Sequence, residues 1–179
     1  MYPEMVDKLI LENPIGLEDY RRIVPYQTID ELVKKENKSS AASILNYHKT
    51  YYTTWKPEYE IWAKVPGLQT NSKDYEKVAL ANALTYEMIY QQPVYYEFSL
   101  LQMPTLLVIG QDDRTVVGKA YIKDKTVLER AGNYPMMGKN IAAQIPNGKL
   151  VSLEGVGHIP HIEAPEKFQS AILAFMQQP

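Results

Sequence analysis

The sequence has no cysteine, which excludes disulfides, thiolate metal sites and a cysteine nucleophile. It has no real excess of either charge: 19 basic against 21 acidic side chains give a formal net charge of −2. The general electrostatic basis for nucleic-acid binding is therefore missing, and no Lys/Arg run exceeds a pair such as Lys34-Lys35. Long apolar runs are absent too. The stretch Thr105 to Ile109 falls far below the ~20 residues that a membrane-spanning helix needs. The opening Met1-Tyr2-Pro3-Glu4-Met5 does not have the basic-then-apolar order of a signal peptide, and nothing in the sequence points to a compartment. With 179 residues, 45% of them hydrophobic and 22% charged, what remains is one soluble, mildly acidic domain that buries well over half of its unfolded surface.

Local pattern predicts an α/β fold. Lys8 to Glu12, Thr105 to Ile109 and Lys149 to Leu153 are Leu/Ile/Val runs without alternation, bounded by Asn13-Pro14, Pro104, Gly110 and the turn Pro146-Asn147-Gly148. Such runs suit parallel strands covered on both faces. Helices are expected over Met136 to Ile145 and Pro165 to Met176; in the latter Phe168, Ile172, Phe175 and Met176 share one face. Residues 17–103 hold helix signals instead of strands. Thr28-Ile29-Asp30-Glu31 is a capping box, Ser39 or Ser40 caps a second helix, Pro57 opens a third, and Ser72 with Asp74 starts a fourth reaching Tyr90. This block is rich in Tyr and Trp, and the charges Lys34, Lys35, Glu36 and Lys38 read as a solvated helix face.

Ligands in open α/β sheets sit beyond the carboxyl ends of the strands. Two loops there carry chemistry: Gly110-Gln111-Asp112-Asp113-Arg114-Thr115 after the second strand and Glu154-Gly155-Val156-Gly157-His158 after the third. A carboxylate at one strand end that accepts the Nδ1–H of a histidine at the next is the acid–base half of a hydrolytic triad. Asp113 is the expected acid with Asp112 as the fallback, and His158 is the expected base. His161, three residues on, invites a metal pair with Glu163 or Asp112, but Pro160 argues against one helix face presenting both histidines, and no metal is expected. Asn13-Pro14-Ile15-Gly16 fits a pocket lining and a structural turn equally well.

At this point the chain resembles the α/β-hydrolase superfamily. MPTLLVIGQDDRTVV looks like the family's acid-bearing seventh strand, with G-x-x-D falling on Asp113. LVSLEGVGHIPHIEAPEKF is similar to its eighth strand, histidine loop and last helix, with G-x-G-H-x-P-x-x-E-x-P running from Gly155 to Pro165. YPEMVDKLILENPIGLEDYR resembles the junction into the sixth strand. The resemblance implies a partial fold of about three parallel strands, with 1–16 and 104–179 as the C-terminal part of the core and 17–103 as a helical cap inserted after the first strand. It also implies hydrolysis of an ester or related bond by a serine or aspartate nucleophile, with no cofactor; the aromatic cap adds the expectation of a small apolar substrate, and charge and run length that of no nucleic acid and no membrane.

The sequence departs from the family in one decisive respect. G-x-S-x-G, the strained turn that presents the nucleophile, is absent around Ser39, Ser40, Ser43, Ser72, Ser99, Ser152 and Ser170. The chain is therefore expected to be the C-terminal portion of a hydrolase, from a truncated gene or a misplaced start, and inactive alone. Two alternatives follow: a receptor-like protein that binds under the cap, or a subunit that self-associates or takes a partner along the exposed edge of its first strand. A lesser departure is the insertion Lys119 to Tyr134 between acid and histidine.

Overall fold

β2 (Thr105–Gly110) is buried along its whole length, with β1 (Leu9–Glu12) on one side and β3 (Gly148–Leu153) on the other. The computed structural model describes residues 3–178, so Met1, Tyr2 and Pro179 of the predicted core segments lie outside the described residues. Both pairings are parallel: Leu9 faces Thr105 and Glu12 faces Val108, while Thr105 faces Gly148 and Gly110 faces Leu153. The unbroken apolar run of β2 has a direct cause. Leu107 and Ile109 point into a cluster with Leu17, Phe98, Tyr134, Ile141 and Ile145. Leu106 and Val108 point the other way, to Leu153, Val156 and Phe175. With apolar layers on both faces, alternation has no work to do.

Those layers are helices. α6 (Tyr134–Gln144) covers one face through Ile141, and α8 (Pro165–Met176) covers the other through Phe175 and Phe168. α6 starts two residues before the expected Met136, because the Asn133 side chain accepts the Met136 N–H and Pro135 occupies the first turn.

Between β1 and β2 come α1 (Ile29–Glu36), α2 (Ala41–Lys49), α3 (Glu60–Gln69) and α4 (Tyr75–Gln91). The Thr28–Glu31 capping box forms, and Ser40 caps α2 in a second box with Ser43. Pro57 opens a turn of 3-10 helix that leads into α3. The two ends of this helical segment are welded to the sheet, since Leu17 and Phe98 belong to the β2 cluster.

The insertion after Asp113 folds as a 3-10 turn, Lys119–Tyr121, and the short α5 (Lys125–Arg130). Its Ile122 and Ala131, with Val116 just before it, pack with Tyr20, Val24 and Tyr90, so the insertion forms a second apolar cluster with the helical segment. Lys35 is accordingly not free: its ammonium lies 4.3 Å from the centre of the Tyr121 ring. No helix among the described residues is long and apolar enough to cross a membrane.

Candidate active site

Parallel strands in register end together, so the loops after β1, β2 and β3 converge. The Asp112 N–H donates to Val156 O and the Gln111 N–H to Leu153 O, which sets the acid loop against the histidine loop. Gly155 turns the chain after β3 with φ +71°, a conformation that only glycine adopts without strain.

The structure brings Asp113 and His158 together. His158 Nδ1 lies 2.7 Å from Asp113 Oδ2, with Thr115 Oγ1 at 3.1 Å as a second neighbour. The Asp113 side chain is 0% exposed and that of His158 is 22% exposed, so the acid is hidden and the imidazole is reachable. Burial pushes the Asp113 carboxyl up. The His158 hydrogen bond and charge, the Asn13 amide and the Thr115 N–H together outweigh it and hold the carboxyl below its ordinary 3.8. An ionised carboxylate only accepts hydrogen bonds, so the imidazole proton belongs on Nδ1 and the Nε2 lone pair is left for a substrate proton. Asp112 is exposed and its carboxylate faces Thr53 Oγ1 at 3.4 Å, whereas Asp113 is the carboxylate bonded to His158.

Asn13 completes this arrangement. It follows β1 directly, is buried, and has φ +34°, which asparagine tolerates better than most residues. Its Nδ2 donates to Asp113 Oδ2 at 2.6 Å and to Gly157 O at 3.4 Å, while its Oδ1 accepts the Gly110 N–H at 2.8 Å. The opposite amide orientation would set a donor against an N–H and an acceptor against a carboxylate, so the network admits one orientation. Asn13 is thus part of the site and of the turn at once.

Two rings flank the imidazole: Tyr51 at 4.8 Å and Tyr134 at 6.0 Å between centroids. Burial pushes both phenols above their ordinary value, so they stay neutral at working pH. The residues weighed as metal ligands point elsewhere. His161 pairs with Glu12 at 2.8 Å, and Glu163 accepts the N–H groups of Thr53 and Gly157. Among the described residues no three His, Asp or Glu side chains approach as metal ligands. A groove of about 520 Å³ lies between α2 and α3, lined by Ala41, Leu45, Ile61 and Leu68, and a cleft of about 210 Å³ lies beside Glu18 and Tyr95. Neither is lined by Asp113 or His158.

Glu163 stands in the G-x-G-H-x-P-x-x-E-x-P pattern, though nothing in that pattern states its role, and Asn13, Tyr51 and Tyr134 are not distinguishable as site residues in the sequence. Their one local signal is an asparagine directly after a strand, which marks a turn as readily as a site.

Known structures share this arrangement of strands and helices. A probable hydrolytic enzyme from Pseudomonas aeruginosa is 42% identical with a TM-score of 0.95, over 99% of this chain and 57% of that one. An esterase from Exiguobacterium antarcticum (14% identity, TM-score 0.64, 97% of this chain and 58% of that one) shares the fold. So does 2-hydroxy-6-oxo-6-phenylhexa-2,4-dienoate hydrolase from a Rhodococcus species (13%, 0.65, 99% and 57%). No family model matches the sequence, and no curated protein matches it. Parallel strands with helices on both faces and a helical segment after the first strand define an α/β protein. The described residues carry part of the α/β-hydrolase fold. It spans less than two thirds of the length of each of these structures.

Proposed function

We propose that these residues are the acid–base part of a serine-type hydrolase that cleaves an ester or related bond in a small apolar substrate. His158 is the base, Asp113 orients it, and the helical segment 17–103 is the lid. The observation that carries the reading is the 2.7 Å bond from His158 Nδ1 to a fully buried carboxylate at the neighbouring strand end. That bond fixes the tautomer and stabilises the imidazolium formed when Nε2 takes a proton. The apolar substrate is supported by the two tyrosine rings beside the imidazole.

An acid and a base do not hydrolyse an ester by themselves. Attack needs a nucleophile, and the intermediate needs oxyanion donors. The sequence has no G-x-S-x-G, so the 179 residues are expected to be inactive alone. The test joins them to the N-terminal part of the Pseudomonas relative and follows release of p-nitrophenol from short acyl esters. The joined protein is expected to turn over, and His158→Ala to abolish it. A rate in the 179 residues alone that His158→Ala removes would overturn the expectation of inactivity. A preference of the joined protein for charged substrates would overturn the substrate class.

The edge of β1 favours a second reading. Among the described residues β1 pairs on one side only, with β2. An open strand edge recruits another strand, so the missing groups can arrive on a partner chain. A single monodisperse monomer in sedimentation would count against it.

A further inference from the structure

The stretch Tyr51–Thr53, a strap from the helical segment, lies across the histidine loop. The His158 N–H donates to Tyr51 O at 2.6 Å. The Tyr51 ring rests against the imidazole, 4.8 Å away and tilted by 43°. The strap is so close that a Cβ on Gly157 would come within 2.3 Å of Tyr51 O and 3.2 Å of Thr53 N. Glycine is needed there for space, since its φ is not positive. One carboxylate joins the two sides. Glu163, the last residue of α7 (Pro160–Glu163), accepts the Thr53 N–H on Oε1 at 2.8 Å and the Gly157 N–H on Oε2 at 2.7 Å.

We infer that Glu163 is a positioning residue: its carboxylate clamps the Tyr51–Thr53 strap to the histidine loop and thereby sets the orientation of the His158 ring. This rests on the reading of His158 as the base. Glu163 makes no contact with the imidazole and acts through two backbone amides. One amide immediately precedes His158 in the chain. The other belongs to the strap that supplies both the carbonyl bound by His158 N–H and the ring packed on its side chain. A carboxylate suits this position because both oxygens accept. Glutamine of the same shape keeps one acceptor and turns an NH₂ toward an N–H. Aspartate keeps the charge but is one methylene too short to hold both amides at these distances. The hydrogen bonds are charge-assisted, so they outlast most neutral contacts in a half-exposed loop. Without them the strap is tied to the histidine loop by the His158–Tyr51 bond alone, and the ring loses the wall that keeps its Nδ1–H aimed at Asp113.

The test reads the histidine itself and needs no turnover. In protein labelled with ¹⁵N-histidine, exchange of the His158 Nδ1 proton and the His158 titration are followed by NMR. Amide exchange at Thr53 and Gly157 reports the clamp, and amide exchange at Leu107 and Val108 reports the fold. Glu163→Gln is expected to speed exchange at Thr53, Gly157 and the His158 ring by at least about tenfold, equivalent to about 1.4 kcal/mol. It should shift the His158 titration and leave the β2 amides unchanged. Glu163→Asp is expected to fall between, and Glu166→Gln, exposed on α8, to match the parent. The inference is overturned if Thr53 and Gly157 loosen while the ring proton and titration stay as they were, or if nothing changes. It is equally overturned if both Glu163 variants lose protection in β2, because Glu163 is then a structural residue. Failure of the underlying reading looks different: the parent protein would itself show no protected Nδ1–H that Asp113→Asn removes.

Discussion

The strand ends and the outer face of the helical segment are built on opposite plans. At the strand ends every polar atom that matters is spoken for: Asp113 accepts from Asn13, Thr115 and His158, and Asn13 uses both ends of its amide. On the helical segment, Ile61 (63% exposed) and Leu68 line the α2–α3 groove, and Val65 is exposed as well. Elsewhere in the helical segment, the Tyr52 and Tyr86 hydroxyls are buried without hydrogen-bond partners among the described residues. The first plan gives one geometry at a high cost for any error, since a buried unpaired group is expensive. The second tolerates change, because exposed apolar side chains are individually cheap.

Substitutions at the two places should therefore differ sharply. The largest effect is expected for Asp113→Asn in the protein joined to a nucleophile-bearing segment. Ester turnover should drop on the order of 10⁴-fold, while far-UV circular dichroism stays unchanged. A loss of less than tenfold would remove Asp113 from the mechanism. Next comes Leu107→Ala, at a position with no exposure, expected to cost ~2–5 kcal/mol in urea unfolding.

Asn13→Ala follows, at ~1–3 kcal/mol, because the Gly110 N–H is left unpaired in a buried site. Asn13→Gly relieves the positive φ but not the lost hydrogen bonds, so it should recover only a minor part. Full recovery would mean that backbone strain, not the network, explains the residue. The smallest effect is expected for Ile61→Ser, within about 0.5 kcal/mol in the same assay. A larger loss there would show that the exposed face is covered in solution.

Acid sharpens the contrast. The folded pKa of Asp113 lies below its ordinary 3.8, so the unfolded chain binds the proton more readily. The associated stability is complete above that ordinary value and is lost as pH falls through it toward the folded value. Asp19 behaves alike over a stated window: the Arg21 guanidinium holds it at about 2, so its share disappears between pH 3.8 and about 2. Urea midpoints measured at pH 7, 4 and 3 should fall on acidification, and fall less in Asp113→Asn. Equal slopes in parent and variant would contradict the depressed carboxyl.

Much of the fold is written in short-range pattern, and the site only in part. The run Leu106 to Ile109, the Thr28–Glu31 box and Pro165 at the start of α8 are decided by neighbours within a few residues, so their elements appear where the pattern puts them. Asp113 and His158 are legible because a strand, a turn and a titratable residue recur at a fixed spacing. Asn13 is not, since its partner Asp113 lies 100 residues away and nothing local distinguishes it from a turn former. Glu163 is marked by the G-x-G-H-x-P-x-x-E-x-P pattern, but its bond to Thr53 crosses 110 residues, so its role is not legible there. Among many tyrosines, Tyr51 and Tyr134 are singled out by tertiary packing alone. The 119–134 insertion has too little periodicity to announce α5, and its apolar residues acquire meaning only against Tyr90 and Val24.

The reach of Asn13 across two neighbouring segments also makes the sheet self-checking as it assembles. A slip of β1 by one residue would present Glu12 or Pro14 to Gly110, and neither can both accept that N–H and donate to Asp113. Strand alignment and assembly of the Asp113–His158 pair are thus coupled. The moment at which His158 acquires its protected ring proton during refolding marks the moment at which the three strands have found their places.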